Sequence, residues 1–318
     1  MLVKRTIVSI CFLLSIGSYF LGYSWGFKAH QIIVQMAVFT LPTEMIPFYK
    51  KHWQELKQAS IQPDIRRYVW EDEKPRHYID LDHYSTSDQD SLQKSWNDVL
   101  RSIPEDTLLE YGILPYALSL TKYNLTSAMK EKNGPAIVRL SGDLAHYVGD
   151  ASVPLHTTEN YNGQLTGQTG IHALWESRIP ELEADGYTYW QEPANYISDV
   201  RAAIWHIILH SHSLVDSVLL IEQELARNIP QDKKYTFAEV GKKTNRTYSN
   251  QYISAYSAQM NGMVERQMQN AIKFTGDLWF TCWVDAGQPN LADINFMAEP
   301  PILDSIKTND PRSTLHRK

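Results

Sequence analysis

The stretch from Gly142 to His156, GDLAHYVGDASVPLH, decides how this chain is read. With about 100° between successive residues of a helix, Ile137, Leu140, Leu144 and Val148 share one face. His146 and Asp150, four residues apart, project from the opposite face, where one cation can reach both. Pro154 then breaks the helix and lets His156 turn back toward the same place. A second pair follows in IHALWESR, where His172 and Glu176 are again four apart while Leu174 and Trp175 face elsewhere. A single pair of this kind is usually no more than a hydrogen bond. Two pairs in so short a stretch, with His156 between them, point to a metal centre. Imidazole and carboxylate together suit zinc better than calcium, which prefers all-oxygen shells.

Outward from this segment the chain reads as helices. Asp106–Lys130 is helix-like with an interruption at Pro115, and Ala136–Val148 is the helix just described. Ile197–Arg227 reads as one long helix with Ile204, Ile208, Leu214, Val218, Leu219 and Ile221 apolar. Thr247–Val284 reads as another, with Tyr256, Met260, Met263, Val264, Met268, Ile272 and Trp279 at helical spacing. No alternation is long enough to demand a sheet, and neither a repeat nor a Gly/Ser linker divides the chain. The expectation is one all-α, multi-helix domain over residues 25–288, followed by a polar tail over 289–318 that contains Pro300, Pro301 and Pro311.

The first 24 residues read as a signal peptide: Lys4 and Arg5, an apolar run from Ile7 to Leu21, then Gly22-Tyr23-Ser24. The run is short of the ~20 residues of a membrane-spanning helix, so no transmembrane anchor is expected. A secreted or periplasmic protein beginning at Trp25 follows. Cleavage removes Cys11 and leaves Cys282 as the lone cysteine, so no internal disulfide is available. It also removes two of the 30 basic residues, leaving 28 against 36 acidic ones, a formal charge of −8. That balance suits a protein binding divalent cations and argues against a stable complex with nucleic acid, which needs a basic face. Among 318 residues, 18 Tyr and 9 Trp predict an aromatic core.

Three further segments complete the pattern: Trp25-Gly26-Phe27-Lys28-Ala29-His30; Pro63-Asp64-Ile65-Arg66-Arg67; and the run from Arg76 to Tyr84, RHYIDLDHY. A free α-amine, with an ordinary pKa of about 7.7–8.0, deprotonates easily and can bind zinc beside its own carbonyl. Taken in order, these segments resemble the bacterial zinc-dependent phospholipase C family and the related fungal single-strand-specific zinc nucleases. Those enzymes are helical and begin at a mature tryptophan. Their pattern, H-x-x-x-D-x-x-x-x-x-H followed by H-x-x-x-E or H-x-x-x-D, matches His146, Asp150, His156, His172 and Glu176.

The resemblance implies a trinuclear zinc site. Asp64, His77, His146 and Asp150 hold the first ion, and His156, His172 and Glu176 the second. The amine and carbonyl of Trp25, His30 and a bridging oxygen of Asp150 hold the third. His77 is chosen over His83 because HYID looks like the family's H-F-x-D, with Asp80 or Asp82 as its hydrogen-bonding support. His52, His83, His206, His210 and His212 are left as structural or surface residues, and Arg66 and Arg67 as solvated arginines. The implied activity is zinc-dependent hydrolysis of a phosphate diester by a zinc-activated hydroxide, with Asp64 also orienting the nucleophile. Glu at 176 and the short gap between His156 and His172 look phospholipase-like, whereas the WGxxxH spacing looks nuclease-like. A single-strand nuclease or 3'-nucleotidase is therefore the alternative, and a non-catalytic zinc-stabilised binding protein the second. The substrate is accordingly a phospholipid, or else a nucleotide or single-stranded nucleic acid. A methionine left before Trp25 converts the ligating amine to an amide. Protein retaining it is expected to hold one zinc fewer than exported, cleaved protein when both are measured by elemental analysis.

Overall fold

The computed structural model describes residues 26–240, 243–294 and 296. The expected signal peptide at 1–24, Trp25 and the tail beyond Phe296 lie outside the described residues. The protein is all-α, built around a buried helix, Gly134–Ala151. Asn133 caps this helix by accepting a hydrogen bond from the Ala136 amide at 3.2 Å, and Pro135 occupies the first turn, where no amide is needed. Helices Phe27–Ala37, Trp53–Ala59, Leu114–Lys130 and Met263–Asp285 pack around it. Both of its faces are interior: Ile137, Leu144 and Val148 on one, Asp143, His146 and Asp150 on the other.

One close approach fixes the site. A Cβ on Gly142 would lie 2.4 Å from Ala59 Cβ and 2.9 Å from the Ser60 amide nitrogen, so only glycine lets the Trp53–Ala59 helix come this near. On the far side Tyr49 stacks on Trp279 with ring centroids 4.7 Å apart, and Trp279 Nε1 donates to the Ser141 carbonyl at 3.2 Å. Cys282 is buried in this region, its thiol pushed up to about 12 by desolvation.

Several expected boundaries shift, each for a local reason. The Asp106–Lys130 run is two helices, Glu105–Tyr111 and Leu114–Lys130, and Pro115 opens the second rather than breaking the first. Ile197–Arg227 divides into Val200–His212 and Val215–Asn228 at a turn where the Ser213 hydroxyl donates back to the His210 carbonyl at 2.6 Å. This run is the one described stretch long and apolar enough to cross a membrane, yet the turn divides it, and Ile204, Trp205, Ile208, Val218 and Leu225 are buried in the core. Thr247–Val284 breaks at Asn261 and Gly262, whose φ angles of 48° and 73° are left-handed. It leaves Asn250–Gln259 and Met263–Asp285. Thr247 itself belongs to an antiparallel hairpin, Tyr235–Val240 with Lys243–Tyr248, that the sequence reading did not anticipate. Phe237, 73 % exposed, and the polar residues around it give no alternating signature. The expected polar tail begins packed: Leu291 is buried, and Phe296 stacks on His52 at 3.9 Å.

The hairpin is anchored by a buried ion pair. Lys234 Nζ reaches Glu222 Oε1 at 2.7 Å, Tyr252 donates its hydroxyl to the same oxygen at 2.6 Å, and Gln168 Nε2 donates to Glu222 Oε2 at 2.6 Å. Replacing Lys234 with Met strands a buried carboxylate, which costs about 3–5 kcal/mol. Thermal melts of Lys234→Met should show that loss, with partial recovery when Glu222→Gln removes the charge but keeps an acceptor.

Candidate metal centre

Five segments converge beside the central helix. His30 comes from Phe27–Ala37, between Ala29 and Ile33 of the core. Asp64 comes from the short helix Gln62–Arg66, and His77 ends the 3-10 stretch Glu71–His77. His146 and Asp150 stand on the central helix, and His156 lies in the 3-10 turn Pro154–Thr157 that Pro154 initiates. His172 and Glu176 straddle the junction between Ile171–Ala173 and a π-helical turn, Leu174–Arg178, of the kind often found at functional sites. Trp25 lies outside the described residues, but the Gly26 amide is 3.4 Å from the Glu176 carbonyl, so the described chain starts against the site.

The tautomers follow from hydrogen bonds behind the rings. Nδ1 of His146 donates to the Ser60 carbonyl at 2.8 Å, a bond that the Gly142 contact makes possible. Nδ1 of His156 donates to the His77 carbonyl, and Nδ1 of His172 to the Tyr161 carbonyl at 3.2 Å. In each case Nε2 is turned inward, as metal-binding histidines are ordinarily held. His77 is reversed: its Nδ1 faces the site, while Nε2 is 3.7 Å from Glu73 Oε1.

Two groups of facing atoms result. Around Asp150, Oδ2 is 2.9 Å from His77 Nδ1 and 3.3 Å from His146 Nε2, while those two nitrogens are 3.2 Å apart. Asp64 Oδ1 is 3.9 Å from His146 Nε2 and 4.0 Å from His77 Nδ1. Asp64 Oδ2 has no hydrogen-bond partner among the described residues. The other oxygen of Asp150, Oδ1, is 3.6 Å from His30 Nε2, and the His30 ring stacks on His146 at 4.0 Å. In the second group Glu176 Oε2 is 3.1 Å from His156 Nε2, and Oε1 is 3.2 Å from His172 Nε2. His172, the most exposed of these residues, marks the open side.

A tetrahedral zinc with ligand bonds of about 2.0–2.1 Å has ligand–ligand edges of roughly 3.3 Å. The distances in both groups surround that value, and the donors are imidazole nitrogen and carboxylate oxygen, so the residues fit zinc. His30 is also close to Asp64 and His146, so the first and third sets of expected ligands share one pocket.

Other candidates fall elsewhere. His83 is exposed and stacks on Tyr111 at 3.3 Å. Neither Asp80 nor Asp82 supports His77. Asp82 instead accepts from Thr158 Oγ1 at 2.6 Å and the Glu159 amide at 2.9 Å, and burial beside Asp82 and Glu159 pushes the Asp80 carboxyl up to about 7. Glu73, absent from the sequence reading, is the carboxylate nearest His77 Nε2, at 3.7 Å and without a hydrogen bond to it. It is fully buried, accepts from the Tyr147 hydroxyl and pairs with Arg66 at 3.3 Å. Arg66 is accordingly no solvated arginine, since it also binds Asp143 at 3.0 Å. Arg67 lies 3.4 Å from Asp64 Oδ1.

The electrostatics describe a site that demands positive charge. Burial opposes ionisation of Asp150, yet His146 and His156 hold its carboxyl well below the usual range. Glu176 is likewise held low, by His172 and His156. Burial also opposes charge on His146 and His156, but Asp150 together with Asp64 and the Ser60 carbonyl for His146, and with Glu176 and the His77 carbonyl for His156, outweighs it and raises both to about 9. His30 is kept neutral by burial and by His146.

No protein-family model matches the chain, and no curated protein sequence matches it. Among solved structures it is similar to the alpha toxin of Clostridium absonum, with 14% identity, a TM-score of 0.47 and coverage of 86% of this chain and 68% of the toxin. It is also similar to the alpha-toxin of Clostridium perfringens from avian strain SWCP, with 16% identity, a TM-score of 0.45 and coverage of 82% and 65%. The chain thus spans about two thirds of each toxin's length.

The pH response of metal-free protein follows from these charges. A histidine whose folded pKa of about 9 lies above its ordinary 6.5 contributes its full stability below pH 6.5 and loses it as pH rises through 9. Melts in chelator should therefore fall in Tm between these pH values. In zinc the slope should reverse, because zinc and protons compete for the same nitrogens. A flat or rising Tm in chelator would count against the facing arrangement.

Proposed function

We propose that the protein is a zinc-dependent phosphodiester hydrolase acting on phospholipids in the manner of a phospholipase C. The observation that carries this reading is the buried set of imidazole nitrogens and carboxylate oxygens facing one another at 2.9–4.0 Å, with the two oxygens of Asp150 directed at different histidines. His77, His146, Asp64 and Asp150 would hold one zinc, and His156, His172 and Glu176 a second. His30, Asp150 and the terminal amine and carbonyl of Trp25 would hold a third. Bound zinc supplies Lewis acidity and positive charge for an anionic phosphodiester and the water that attacks it.

The protein's own groups supply the rest. Asp64 Oδ2, buried and without a hydrogen-bond partner among the described residues, orients the attacking water. Arg67, beside Asp64 and partly exposed, neutralises the substrate phosphate. The three-ligand set of His156, His172 and Glu176 leaves a position for substrate or water, which favours catalysis over a purely structural metal.

The choice of lipid over polynucleotide rests on the surroundings. Ile65, Tyr68 and Val69 follow Asp64 as exposed apolar side chains, and Tyr161 and Leu165 are exposed on the loop leading to His172. The chain is acidic overall, which suits an apolar interface better than a phosphate backbone. Signal cleavage and export belong to the same reading.

Zinc-loaded, correctly processed protein should contain three zincs per chain and turn over phosphatidylcholine vesicles faster than single-stranded DNA. Asp150→Asn, which keeps the shape but removes the charge shared between ions, should lose zinc and reduce turnover roughly 100-fold or more. Faster turnover of DNA would assign the same centre to the nuclease reading. One zinc or none after reconstitution would end both.

A further inference from the structure

A cavity of about 410 Å³ opens between Trp96, the Leu114–Lys130 helix and the start of the Val200–His212 helix. None of the metal-centre residues lines it. Its walls are apolar: Trp96 meets Tyr116 edge to face at 5.0 Å, and Leu120 and buried Trp205 complete the surface. The Tyr116 hydroxyl donates to the Leu92 carbonyl.

The charge at this cavity runs against that of the whole chain. The protein carries a formal charge of −6, yet Arg76, Lys94, Lys122 and Arg201 reach the cavity, and no carboxylate lines it among the described residues. Two of the four are already engaged. Lys122 pairs with Asp285, while Arg76 lies over the Trp70 ring at 4.8 Å and donates from Nε to the Asp72 carbonyl at 3.3 Å. Lys94 and Arg201 make no ion pair among the described residues. Their acidic neighbour, Asp98, is occupied by the Ser95 hydroxyl and by Arg101 at 3.2 Å. Aromatic walls with two cations that feel Asp98 only at longer range and make no ion pair among the described residues are complementary to a molecule that is apolar along its body and anionic at one end.

We propose that this cavity binds a single-chain amphiphilic anion, its apolar body against Trp96, Tyr116 and Trp205 and its carboxylate or phosphate between Lys94 and Arg201. The volume lies at the small end of ligand cavities, about 300–1,000 Å³, which suits one acyl-sized chain and excludes a two-chain phospholipid. The site is independent of the metal centre and of the activity assigned to it.

The test titrates the full-length, zinc-loaded protein with dodecyl phosphate below its micelle concentration, followed by calorimetry and tryptophan fluorescence. One equivalent should bind saturably, more weakly as salt is raised. Dodecanol and dodecyltrimethylammonium should bind at least about tenfold more weakly. The double variant Lys94→Glu/Arg201→Glu should lose about tenfold or more in affinity with an unchanged melt. Ala117→Trp should fill the cavity and abolish binding; if it does not fold, Leu120→Trp, at a half-buried wall position, serves instead. Absence of saturable binding, equal binding of dodecanol, or full affinity in the charge-reversed or filled variants would each overturn the proposal. So would binding only to anionic vesicles and not to free dodecyl phosphate.

Discussion

A neutral imidazole nitrogen and a carboxylate oxygen are both hydrogen-bond acceptors, and in a water-free interior they cannot face one another without a cation between them. The centre of this protein is arranged around that constraint. The bonds to Ser60, His77 and Tyr161 commit the Nδ1 protons of three histidines, so their Nε2 lone pairs are left opposite Asp150 and Glu176. Protons can satisfy the arrangement, as the raised pKa values of His146 and His156 record. Divalent ions satisfy it without having to charge the rings.

The rest of the fold serves this geometry at both ends of the chain. The contact of Gly142 with Ala59 brings the Ser60 carbonyl to His146. At the other end, Gln168 on the loop before His172 is held by Glu222, which Lys234 and Tyr252 also bind, so the hairpin region supports that loop through a buried charge. The C-terminal helices are thus more than core filling.

The parts of the fold and site legible in the sequence are those encoded by spacing within one element. The central helix, the pairs His146/Asp150 and His172/Glu176, and the turn at Pro154 all follow from the 3.6-residue period and from proline chemistry. Breaks that depend on single residues were not legible: Ser213 and Asn261 sit within runs whose apolar period continues across them. Glu73 was hidden for another reason. It lies in the run EDEKPRH, which has the composition of a solvated surface. Only the tertiary contacts with Tyr147, Arg66 and His77 show that it faces inward. The hairpin escaped because its two short runs, YTFAEV and KTNRTY, carry no clean alternation of apolar and polar residues.

The contact between the Gly26 amide and the Glu176 carbonyl also bears on how the molecule forms. It closes a loop that encompasses every one of the described site residues, and closure of so long a loop is entropically costly and delays folding. Until Glu176 has joined the chain, His156 and His172 lack the carboxylate that faces them. The complete set exists only once the segments from His30 to Glu176 have come together. Whatever ion fills it is chosen in the compartment where that closure takes place, by local supply as much as by ligand preference.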